Sequence, residues 1–166
     1  AIAVGFFAFS LASFLTDEEL RRMHGFTVLD RYLNEKGREI SAWNTDLEER
    51  GIHPVNARRV TNLGTFRAYV ENYLRNHPGI HQDMTLLVRQ QQPGSTGLPL
   101  EVYCFTRDIR WAVYENIQSD IFDHLLAILP EFGLRVFQES SDAGITAALM
   151  ASAALKHAED GSSPPA

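Results

Sequence analysis

Three residues within a short stretch carry side chains that could do chemistry. The segment "DIFDHLLAILPEFGLRVFQ", residues 120–138, places Asp120, Asp123 and His124 close together. Two carboxylates beside an imidazole suit metal binding or acid/base work. A helical projection separates them. Asp120 and His124 lie one turn apart, about 40° apart around the axis, while Asp123 points about 100° away from His124. The residues thus offer one carboxylate–imidazole pair and a separate, solvated Asp. A zinc site needs three or more protein ligands, so the favoured reading is a flanking salt bridge at the edge of a packed helix.

Other candidates are weaker. His24, His53, His77, His81 and His157 show no ligand spacing, and His77 and His81 flank a Pro-Gly turn. "QPGSTG" and "NLGT" lack the glycine-lysine-hydroxyl series that cradles a phosphate. Ser95 and the single cysteine, Cys104, are poor nucleophiles. Cys104 falls in an alternating strand pattern, where a thiol is an apolar filler. Arg107 and Arg110 flank Trp111 and suit either an ion pair, a cation–π contact or solvation. No catalytic, cofactor-binding or metal residue is assigned, and no cofactor is expected.

The elements that must position these residues follow from periodicity. The opening "AIAVGFFAFSLASFL" is about 15 residues long, short of the ~20 needed to cross a bilayer, and has no basic lead. Residues 1–10 read as a strand apolar on both faces. "TDEEL" predicts a helix with Thr16 as N-cap and Glu19 closing a capping box. Val28 to Trp43 has helical spacing interrupted at Gly37, and "ERGIHPVN" is a loop. "TNLGTFRAYVENYLRNHPGI" is an amphipathic helix with Phe66, Tyr69, Val70, Tyr73, Leu74 and His77 on one face. Met84–Arg89 and Leu98–Phe105 alternate as two strands joined by turn formers. A helix from Arg110 to Leu129 buries Ile117, Ile121 and Leu125. The last strand is "LRVFQ".

This order predicts an α+β fold: a ferredoxin-like (βαββαβ) antiparallel sheet with a helical insertion, residues 16–50, after the first strand. Residues 1–138 form this domain; residues 139–166 are an Ala-rich segment and a tail with nothing to bury. Helices cover one face of such a sheet. Tyr103, Phe105 and Phe137 share the other, and are the candidate subunit interface. The 166 residues and 45% apolar composition suit one domain, and the net charge of −6 argues against a nucleic-acid partner.

Longer phrases carry a resemblance. "TNLGTFRAYVENYLRNHPGIHQDMTLLVRQ", "GLPLEVYCFT" and "YENIQSDIFDHLLAILPEFGLRVFQ", with "FLTDEEL" and "EISAWN" before them, resemble the miniconductance mechanosensitive channels of the MscS superfamily. The likeness runs from about Phe14 to Gln138 and concerns the C-terminal cytoplasmic region. It implies a bacterial inner-membrane homo-oligomer, a heptamer in the intact channel. Such a channel opens under tension and releases ions and osmolytes in hypoosmotic shock, with this region in the cytoplasm as a vestibule. Membrane contact would come through segments absent from this chain. The resemblance implies no catalysis at Asp120, Asp123 or His124. Two other readings stay open: a soluble ferredoxin-like ligand-binding regulatory module, and a small metal-dependent enzyme using Asp120 and His124.

Overall fold

A computed structural model describes residues 2–10, 12–95 and 97–136, the first of these as backbone only. The chain is α+β. Strand β1 (Ile2–Ser10) is followed by helices α1 (Asp17–Met23), α2 (Asp30–Glu49) and α3 (Asn62–Asn76). Strands β2 (Leu87–Gln90) and β3 (Leu98–Cys104), helix α4 (Trp111–Ile128) and strand β4 (Arg135–Val136) complete the order. The four strands form one antiparallel sheet in the order β2-β3-β1-β4. The β1–β3 register shifts between Ile2 and Gly5. Side-chain burial along β1, and the expected strand beyond Val136 with the tail after it, lie outside the described residues.

Local chemistry explains most boundaries. The Thr16 hydroxyl accepts from the Glu19 amide, and the Glu19 carboxylate accepts from the Thr16 amide at 2.8 Å, so the predicted capping box starts α1. Thr61 caps α3 in the same way, accepting from the Gly64 amide at 3.1 Å. A side chain at position 64 would meet Thr61 Oγ1 at 2.8 Å, so glycine is what lets the cap close.

Two expectations need correction. Helix α2 is continuous through Gly37 and extends to Glu49. A glycine in a helix interior costs only ~1 kcal/mol relative to alanine. The pairs Arg31–Glu35 and Lys36–Glu39 bracket it at 2.8 Å each. Strand β2 begins at Leu87, not Met84. The Gln82 amide donates to the Leu74 and Ile80 carbonyls at 3.1 and 3.2 Å, and this ties the preceding segment into a turn.

The core lies between the sheet and helices α3 and α4. Leu100, Val102 and Cys104 are buried on one face of β3, and Ile121 and Leu125 of α4 are buried in the same cluster. Leu63, Phe66, Val70 and Leu74 supply the α3 side. The segment after β1 is tied to the start of α3: the Leu15 amide donates to the Val60 carbonyl at 2.9 Å and Asn62 to the Ser13 carbonyl at 3.0 Å. The buried Asn62 Oδ1 accepts from the Ser13 amide at 2.9 Å.

Leu125 is fully buried at the centre of the α4 stripe. Leu125→Ala should therefore lower unfolding free energy by roughly 2–5 kcal/mol, read from urea denaturation. A loss under half of the lower bound would mean that α4 packs through another face.

Candidate functional site

Helix α4 places Asp120, Asp123 and His124 where its periodicity puts them, but the expected Asp120–His124 salt bridge is not among the ion pairs of the described residues. His124 Nε2 lies 2.7 Å from the Tyr69 hydroxyl of α3. The imidazole also stacks on Tyr73, with centroids 4.3 Å apart and planes 10° apart. Tyr69 and Tyr73 are one turn apart on α3, so they offer His124 a phenol and an aromatic face together. That pair of contacts outweighs an exposed carboxylate on its own helix, since such ion pairs contribute little.

The electrostatics agree with this placement. Burial raises the Tyr73 phenol pKa, and the Asp120 charge raises it further. Burial lowers the His77 pKa, while Asp120 opposes that shift. Asp120 thus acts on α3 from across the gap. Asp123 is exposed. Cys104 is buried, and burial pushes its thiol up to about 11, far from the thiolate that reactivity needs. Among the described residues no group of three His, Cys, Asp or Glu side chains could hold a metal.

The candidate assembly surface is on the other face of β3. Tyr103 and Phe105 are partly buried and meet edge to face at 5.3 Å. Leu87, the register partner of Tyr103, is 41% exposed. Phe137, the third predicted member, lies outside the described residues. Beside these apolar groups Glu101 accepts hydrogen bonds from Arg89 and Gln91. Hydrogen bonding to Arg89 holds the Glu101 carboxyl below its ordinary range.

Sequence reasoning missed two members of the exposed apolar surface. Ile109 is 96% and Trp111 76% exposed, just past the end of β3. Arg110 does not contact Trp111 as a cation–π partner; it grips Asp108 at 2.6 Å. Arg107 Nε donates to the Ile80 carbonyl at 3.1 Å, and Thr106 Oγ1 to the Asp108 carbonyl at 2.7 Å. A fixed turn therefore presents both apolar side chains to solvent. The "TRDIRW" run held the signal: Asp-X-Arg can clasp across an outward-facing apolar residue.

If Tyr69 is the partner of His124, Tyr69→Phe should cost about 0.5–1.5 kcal/mol by removing the hydrogen bond to the half-buried imidazole. Asp120→Asn should cost under ~1 kcal/mol. Denaturant midpoints for both variants decide; the reverse ranking would reinstate the helix-edge ion pair.

Residues 60–136 match the family model described as "Mechanosensitive ion channel MscS, C-terminal", a span running from just before α3 through β4. The chain is 35% identical over 71 residues to the low conductance mechanosensitive channel YnaI of Escherichia coli (strain K12). That similarity involves 43% of this chain and 21% of YnaI, so the chain spans about a fifth of that relative. Among the described residues no helix is long and apolar enough to cross a membrane. Residues 60–136 are thus similar to the C-terminal region of MscS-type mechanosensitive ion channels.

Proposed function

We propose that this region works without catalysis, as the vestibule and assembly domain of a channel that opens under membrane tension and releases ions and osmolytes in hypoosmotic shock. The observation that carries the reading is the match of residues 60–136 to the MscS C-terminal family, on a sheet with one face packed under α3 and α4. The other face displays Leu87, Tyr103 and Phe105. The similarity to YnaI, a mechanosensitive channel by name, supports the same reading.

On this view the sheet is ferredoxin-like. The series β1-α3-β2-β3-α4-β4 is a βαββαβ order, and the spatial order β2-β3-β1-β4 is the one that such a split βαβ pair produces. Helices α1 and α2 are then an insertion, residues 16–50, within a domain of residues 1–138. The region sits in the cytoplasm beneath a bacterial inner membrane, held there by segments outside this chain. Several copies, seven in the heptameric form, surround the vestibule.

A weak interface is sufficient for such a ring. Membrane segments hold the copies at high effective concentration, so each domain contact adds to an association already made. Tyr103 and Phe105 bring aromatic area with few rotatable bonds, which suits an interface core.

Sedimentation velocity of the 166-residue chain over about a hundredfold concentration range tests this. Mass should rise with concentration, and Tyr103→Ser with Phe105→Ser should shift the protein to monomer. In a channel containing this region, the same pair should reduce tension-activated openings in membrane patches. A chain that stays monomeric throughout, together with unaltered openings in the double variant, would overturn the assembly role.

A further inference from the structure

Beyond assembly, helices α1 and α2 flank an open surface cleft. A cleft of about 490 Å³ runs between them, with Leu20, Leu33 and Val60 as its apolar wall. Leu33 is 4% exposed and belongs to the core, with Leu20 and Val60 packed against it. The wall is therefore fixed by the fold.

The rim is polar and carries one uncommitted charge. His24, Asn34 and Arg38 line it. Helix α2 has three cations, and two are spent: Arg31 on Glu35 and Lys36 on Glu39. Glu39 also takes Arg58 at 2.6 Å. Arg38 has no hydrogen-bond or ion-pair partner among the described residues, and the two nearest carboxylates of its own helix are occupied.

Gly37 lines the cleft. It lies in the middle of a continuous helix, where glycine is the poorest choice after proline. It has an ordinary helical backbone, and a Cβ there would meet nothing within 4 Å. Neither a strained turn nor a crowded packing contact explains it. Its missing side chain leaves the helix backbone open beside Arg38.

We propose that this cleft binds a small organic anion, with its charged group on Arg38 and its apolar part over Leu20, Leu33 and Val60. Arginine suits the role because its fork of donors matches a carboxylate or phosphate in two contacts. An apolar wall ending in a few convergent polar groups is the usual composition of a small-ligand site. A purely inorganic anion would leave that wall unused.

Two-dimensional NMR of the 166-residue chain, titrated with sodium octanoate and separately with inorganic phosphate, tests the assignment. Octanoate should give saturable shifts confined to Leu20, His24, Asn34 to Arg38 and Val60. Arg38→Gln should weaken it about tenfold, the loss of one charge-assisted contact. Gly37→Leu should abolish binding by filling the cleft. Gly37→Ala should raise the melting temperature, which shows that position 37 tolerates a side chain and that lost binding is not lost folding. Non-saturable or scattered shifts, or an Arg38→Gln variant that binds as the parent does, would overturn the site. Phosphate binding as tightly as octanoate would overturn the ligand class.

Discussion

The contact between Tyr69 and His124 is the joint on which the covered face of the sheet depends. Helices α3 and α4 lie on the same side of the sheet but meet through long side chains. Tyr69 and Tyr73 of α3 reach His124 of α4, and Phe132 after α4 reaches back to Phe66 and Tyr69 at 5.2 and 5.3 Å. Phe26, before α2, stacks on Phe132 at 5.7 Å and meets Tyr69 edge to face at 5.6 Å. One aromatic cluster thus connects three parts of the chain that are remote in sequence. Its polar tips lie partly out of water, where an unpaired hydroxyl or ring nitrogen is a cost. Here each satisfies the other at 2.7 Å, so the cluster is joined by a directional bond as well as by apolar contact.

With both helices committed to one face, the opposite face, among the described residues, is what the strands themselves supply. Leu87, Tyr103 and Phe105 alternate with the Arg89–Glu101 pair across β2 and β3. Such a mixture is poor material for a core and good material for a contact that must form in one register. The apolar groups give area, and a paired charge among them penalises a slipped or foreign partner by leaving one charge unmatched. Ile109 and Trp111 add exposed apolar surface beyond the end of β3, fixed by the Asp108–Arg110 clasp. These features favour the assembly reading over a self-contained domain.

What could be read from the sequence was whatever depends on local period or local chemistry. The Thr16 capping box, the apolar stripes of α3 and α4 and the alternation of Leu100, Val102 and Cys104 all stand where their spacing placed them. Partners across space were harder. Helical projection sets His124 at the edge of its stripe, yet it cannot say that Tyr69 waits opposite, so it points to the nearest carboxylate instead. Propensity is a local quantity and predicts a break at Gly37, whereas flanking ion pairs and a 20-residue helix outvote it. The late start of β2 came from the Gln82 side chain occupying carbonyls of the preceding turn, a contact that alternation of Met84, Leu86 and Val88 does not register. Tyr103 and Phe105 alternate with the buried Val102 and Cys104, but the clasped turn beyond them leaves no periodic signal.

The neck formed by residues 13–15 and 60–62 explains how α1 and α2 can be accommodated. The Ser13 amide and the Asn62 side chain are 49 residues apart in sequence and 2.9 Å apart in space. The chain leaves and re-enters at one point. Closing a loop of this length costs only slightly more than closing one half as long, because the entropy grows with the logarithm of length. The backbone bonds across the neck and the buried Asn62 amide fix the register of the closure. The start of α3 is then set by Thr61 and Asn62 whatever the excursion contains. An element bounded in this way can change its outer surface, including the cleft beside Arg38, without moving the aromatic joint or the sheet.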